Sequence, residues 1–161
     1  MRSLAIIAAL SALIPISAFG PSDPEALVPS MESGNYSVHC SEEWTKRGVL
    51  DQRMYDYCVR RDQEAYAALT SEVEEYKAYP WLRPVINAAI AEWTKRGSRR
   101  ETMVAHSVHQ EIDAFLDLQY LKTNGVLVEV VAAKCFQEWS KAGVPKWTMI
   151  LFCYKHATGA D

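Results

Sequence analysis

The chain has 161 residues, 17 basic against 20 acidic, and a formal net charge of −3. That length is enough for one domain with a real core. A mildly acidic balance argues against nucleic acid as a partner, because nucleic-acid binders carry a basic surface.

The chain opens Met1-Arg2-Ser3, runs almost without a polar residue from Leu4 to Ile16, and reaches Ser17-Ala18-Phe19-Gly20. A basic start, a short apolar stretch and a small-residue exit predict a secretory signal peptide over 1–18, with cleavage after Ala18 or Gly20. The stretch is shorter than the roughly 20 residues a membrane-spanning helix needs. The protein is therefore expected to be exported, to the periplasm or beyond, and not to span a membrane. Loss of Arg2 with the signal moves the net charge to −4. Residues 19–34, rich in proline and serine, read as a flexible leader, and Asn35-Tyr36-Ser37 is a glycosylation sequon.

From residue 35 to 161 one pattern occurs three times. Glu43-Trp44-Thr45-Lys46-Arg47-Gly48 is followed by Met54, Glu92-Trp93-Thr94-Lys95-Arg96-Gly97 by Met103, and Glu138-Trp139-Ser140-Lys141-Ala142-Gly143 by Met149. The tryptophans recur at intervals of 49 and 46 residues, a period that marks stacked supersecondary units. Each unit reads as helix, turn, helix. The glycine is expected to end the first helix in a left-handed conformation. The second helix is expected to follow at once, through a Ser98/Glu101 capping box in unit two and from Pro145 in unit three.

Ala65, Leu69, Val73 and Tyr76 form one helical stripe, and Val104, Val108, Ile112, Phe115 and Leu118 form another, stopped by Asn124-Gly125. Val126 to Val131 is rich in β-branched residues, but the register favours a helix leading into Cys135. The fold class is all-α: three tandem helical hairpins, about 36–79, 80–124 and 125–161, forming a small bundle or short solenoid.

Cys40 and Cys58 have the same separation as Cys135 and Cys153, and the matching positions of unit two are Ala89 and Ser107. Joint loss of both cysteines in one unit is what a within-unit bond predicts. The pairs are therefore Cys40–Cys58 and Cys135–Cys153, each worth about 3 kcal/mol on the chain-entropy estimate. Neither CxxC nor tight metal-ligand spacing occurs among them.

Trp44, Trp93 and Trp139 are read as packing across their hairpins, with the methionines alongside, and the Glu–Lys pairs as solvated. Two features of unit two depart from the pattern. His106, His109 and Asp113 share one helical face, a donor set suited to zinc or copper. Set against this, His106 matches Tyr57 and Phe152, and His109 matches Arg60 and Lys155. Lys95, Arg96, Arg99 and Arg100 cluster at a helix start, where the dipole disfavours cations, and so mark a candidate site for an anion or a partner. No catalytic constellation and no cofactor motif is present.

The run from Cys40 to Gln63, with Glu43-Trp44, Met54, Tyr57 and Cys58, resembles Cys–Trp–Met–Cys helical-hairpin modules of small exported bacterial proteins. The resemblance implies a bacterial, periplasmic protein and carries no activity. The expectation is a non-enzymatic envelope module that binds another envelope protein or an anionic envelope component, with metal binding through His106, His109 and Asp113 as the alternative.

Overall fold

The computed structural model describes residues 36–160; the expected signal peptide and leader lie outside the described residues. Among the described residues six helices occur in three like units, and a two-stranded antiparallel ribbon joins the helices of each. Unit one is α1 (Tyr36–Trp44), β1 (Thr45–Lys46), β2 (Val49–Leu50) and α2 (Gln52–Tyr76). Unit two is α3 (Leu82–Trp93), β3 (Thr94–Lys95), β4 (Ser98–Arg99) and α4 (Glu101–Thr123). Unit three is α5 (Glu129–Trp139), β5 (Ser140–Lys141), β6 (Val144–Pro145) and α6 (Trp147–Thr158). The second helices of the units, α2, α4 and α6, pack in sequence against one another. No helix among the described residues is long and apolar enough to cross a membrane.

The ribbons correct the expected turn. Each loop has two residues, and both adopt positive φ: Arg47 (53°) and Gly48 (79°), Arg96 (51°) and Gly97 (79°), Ala142 (51°) and Gly143 (81°). Positive φ at both central positions is the type I′ geometry, whose twist matches that of paired strands. The glycine thus completes a β-turn and does not cap a helix. As a result Ser98 and Pro145 lie in strands, and α4 and α6 begin only at Glu101 and Trp147. The Ser98/Glu101 capping box does not form, and Lys46, Lys95 and Lys141 stand in strands beyond the helix ends. Each ribbon is closed by a bond from the residue before the second helix to the tryptophan carbonyl: Asp51 to Trp44 (3.0 Å), Arg100 to Trp93 (3.1 Å) and Lys146 to Trp139 (3.1 Å).

Both disulfides join the expected residues, Cys40–Cys58 and Cys135–Cys153, with Cα separations of 5.7 and 5.8 Å. In unit two, Ala89 is buried and Trp93 Nε1 donates to Ser107 Oγ at 2.9 Å, so a hydrogen bond spans the seam where the others carry sulfur. The predicted stripes are inside: Leu69, Val73, Val104, Val108 and Ile112 join Leu82, Ile86 and Ala89 in one core cluster. A second cluster gathers Leu118, Cys135, Ile150 and Tyr154 with Trp139 and Trp147 against it. The segment 126–128 lies outside α5, and Tyr154 Oη ties it down by accepting from Val128 N at 3.0 Å.

The turn geometry makes a stability prediction. An added Cβ at Gly97 meets nothing within 4 Å, so the cost of Gly97→Ala is that of the backbone conformation alone, about 1–2 kcal/mol. Arg96→Asn, which creates the preferred Asn-Gly turn, should instead stabilise by up to about 1 kcal/mol. Urea denaturation of the two variants should move the midpoint in opposite directions.

Candidate functional site

The three units are joined by one device used twice. The N-terminal N–H groups of a helix have no partner within it. At α4, Thr102 N and Thr102 Oγ1 both donate to Asp62 Oδ1 on α2, at 3.1 and 3.0 Å. At α6, Thr148 N donates to Glu111 Oε2 on α4 at 3.2 Å and Thr148 Oγ1 to Glu111 Oε1 at 2.8 Å. Asp62 and Glu111 occupy the same position of successive units, as do Thr102 and Thr148. Each carboxylate therefore caps the next unit's helix and sits at the positive end of its dipole. The terminal units differ. Helix α2 is capped by its own Asp51, which accepts from Met54 N at 3.2 Å, and the carboxylate position of unit three is Ala157.

Around Asp62 the interface between units one and two buries four ionisable side chains: His39, Asp62, Arg99 and Glu101. Helix α1 lays His39 over β4, where its backbone N donates to Ser98 Oγ at 3.2 Å and its Nδ1 lies 3.3 Å from the same hydroxyl. The ring's other nitrogen, Nε2, faces the Cys40–Cys58 disulfide, 3.4 Å from Cys40 Sγ and 3.7 Å from Cys58 Sγ. It also lies 2.9 Å from Asp62 Oδ2, but that oxygen has no hydrogen bond of acceptable geometry. The sulfurs lie along the hydrogen-bonding direction of Nε2, and the carboxylate stands beside it.

Burial pushes the Asp62 carboxyl upward, yet the adjacent His39 and the hydrogen bonds donated by Thr102 outweigh it and hold the group below its ordinary value. Glu101 goes the other way. It is fully buried and pairs with Arg99, but loss of hydration dominates and raises its pKa. Unit three holds Pro145 and Trp147 where unit two holds Arg99 and Glu101. There the interface is filled by Trp81, Phe115 and Trp147, with ring centroids 4.7–5.4 Å apart.

The expected sites fare differently. The basic cluster does not exist as a surface. Arg99 is 6% exposed and turned to Glu101, while Arg100 pairs with Glu43 at 3.4 Å, leaving Lys95 and Arg96 exposed on the ribbon. The reason is the backbone: Arg99 in β4 and Arg100, the extended residue just before α4, send their side chains to opposite sides. Of the histidine face, the structure joins His109 to Asp113 (3.2 Å) and adds Glu72 of α2 (2.8 Å), occupying both ring nitrogens with carboxylates. His106 is exposed and outside this cluster. Among the described residues, the histidine, cysteine and acidic side chains drawn together tightly enough to hold an ion are His39, Cys40 and Cys58. Sequence reasoning passed over His39, Asp62 and Glu111 and read Glu101 only as half of a capping box, although His39 and Asp62 stand where unit three has Lys134 and Ala157.

No family model matches the chain, nor does a curated protein or a solved structure.

Two predictions come from this geometry. Arg99→Ala removes the guanidinium from a buried carboxylate and should cost about 3–5 kcal/mol. The double variant Arg99→Leu/Glu101→Leu should cost less than Arg99→Ala or Glu101→Leu alone, since unit three places apolar residues there; denaturant titration of the three variants tests the ordering. For His109, the hydrogen bond that its Nδ1 donates to Glu72 leads the causes that raise its pKa. Its stabilising contribution is therefore complete below the ordinary histidine value and lost as pH rises through the raised one. An NMR titration should place His109 above about 6.5, and Glu72→Gln should bring it back down.

Proposed function

We propose that the protein is an exported helical-repeat module that works by binding another protein of the cell envelope and not by catalysis. The signal sequence read in residues 1–18, the two disulfides and the resemblance of Cys40–Gln63 to modules of exported bacterial proteins support export. The observation that carries the binding reading is the leading edge of unit one. In unit two, α1 covers β4, and in unit three α3 covers β6, so a preceding helix always lies on the second strand. Ser98 is accordingly 3% exposed, whereas its counterpart in unit one, Val49, is 72% exposed, with Leu50 beside it at 36%.

A shallow groove lined by Val38, Ser41, Glu42, Leu50 and Tyr55 adjoins this strand. It continues an interface the chain itself uses twice, which makes an amphipathic helix the fitting occupant, with a basic residue to meet Glu42. Pro21, Pro24 and Pro29 disfavour supply of that helix by the chain's own leader. Dispersal of the expected basic cluster favours a protein over an anionic envelope component.

A photo-cross-linking residue at Val49, introduced in intact cells, tests the reading. Cross-links should map to one helix of one envelope protein. Val49→Asp/Leu50→Asp, with unchanged far-UV circular dichroism, should abolish its co-purification with the chain. Cross-links confined to this chain's residues before 36, or an equal yield from a probe at exposed Lys134, would overturn it.

A further inference from the structure

We propose that reduction of the Cys40–Cys58 disulfide converts its surroundings into a metal site for zinc or a similar borderline-soft divalent ion, held by Cys40 Sγ, Cys58 Sγ and His39 Nε2, with the Asp62 carboxylate beside it and the fourth position left to solvent. This site is separate from the leading edge of unit one and does not depend on the binding reading. Three observations support it.

The first is spacing. In a tetrahedral zinc site with Zn–S of about 2.3 Å and Zn–N of about 2.0 Å, nitrogen and sulfur ligands stand roughly 3.5 Å apart. His39 Nε2 already lies 3.4 and 3.7 Å from the two sulfurs. Only the sulfurs need to separate, to roughly 3.8 Å on the same geometry, and breaking their bond releases them to do so.

The second is the outer shell. A ligating imidazole is normally oriented through its other ring nitrogen. Nδ1 of His39 lies 3.3 Å from Ser98 Oγ. Asp62 is 2% exposed; Thr102 holds its Oδ1, while its Oδ2, without a hydrogen bond, lies 2.9 Å from Nε2. An oxygen so placed sets a negative charge beside the three ligands, which favours a cation there.

The third is the contrast inside the molecule. The Cys135–Cys153 disulfide has the same separation in sequence and nearly the same Cα distance, but Lys134 and Ala157 replace His39 and Asp62. A merely structural disulfide evidently needs neither group, and only the first bond has them.

The chemistry balances with a dithiol as reductant. Its thiolate attacks Cys58 Sγ, the sulfur of the half-buried cysteine, and Cys40 leaves as a thiolate beside His39. The second thiol then displaces Cys58, so the dithiol becomes a disulfide while both protein sulfurs are reduced by two electrons in total. Metal entry leaves both cysteines as thiolates, with their protons released to solvent.

The test uses the full chain, reduced with dithiothreitol, freed of it under argon and titrated with Co(II). One equivalent should bind, giving a thiolate-to-cobalt charge-transfer band and the intense visible bands of a tetrahedral ion, and zinc should displace it. Oxidised protein should give neither band. Cys135→Ser/Cys153→Ser should retain the signal, whereas Cys40→Ser and His39→Ala should lose it. Asp62→Asn should weaken binding by roughly ten- to a hundredfold. Far-UV circular dichroism follows folding throughout. Reduced protein that is helical yet takes up no cobalt would overturn the proposal, as would cobalt bands that survive Cys40→Ser, or loss of helix on reduction that zinc does not restore.

Discussion

A carboxylate from one helix closing the open end of the next is the interaction on which this fold depends. A helical hairpin of this size cannot hide both its apolar stripe and its helix termini alone. Asp62 meets that need for α4, and Glu111 meets it for α6, each through a threonine that offers backbone and hydroxyl together. Because the acid and its threonine sit on consecutive units, the same bonds also fix the offset between neighbouring hairpins. The device is absent on the outer sides of units one and three, where Asp51 caps its own helix and Ala157 offers no acid.

Upon this shared clamp the two interfaces are filled with opposite chemistry. Between units two and three lie Trp81, Phe115 and Trp147, and the stabilisation is that of buried aromatic area. Between units one and two lie His39, Asp62, Arg99 and Glu101, groups whose dehydration is costly and which hold together only as a connected set. Stability alone does not call for that choice, since the neighbouring interface shows an apolar solution in the same backbone frame. In the polar interface His39 borders the Cys40–Cys58 disulfide, so its charged residues and its sulfur chemistry fall within a single small volume.

The helical stripes, the three hairpins and both disulfides were legible in the sequence because each rests on short spacings that recur. Cys40 and Cys58 could be paired because their counterparts in unit two, Ala89 and Ser107, vary together. The ribbons were not legible. Thr-Lys-Arg-Gly ahead of Ser98 and Glu101 fits a helix stop and a capping box as well as it fits a type I′ turn, and the strands of two residues are too short for alternation to show. That misreading made Arg99 and Arg100 neighbours on a helix, when the extended backbone of the two residues sends one inward and the other toward Glu43. The clamps escaped notice because acid and threonine are 40 and 37 residues apart, so they emerge only when whole units are aligned. His39 and Asp62 had a fainter signal, their replacement by Lys134 and Ala157 beside an otherwise identical cysteine pair.

A double-mutant cycle between Glu111 and Thr148, run beside one between Asp62 and Thr102, tests most directly whether the units are locked by carboxylate caps. Denaturant unfolding of Glu111→Gln, Thr148→Val and the pair, and of Asp62→Asn, Thr102→Val and their pair, gives the two coupling energies. The account expects each pair to couple by about 1 kcal/mol or more, in the range found for residues in direct contact. Additive effects within about 0.3 kcal/mol at both junctions would contradict it.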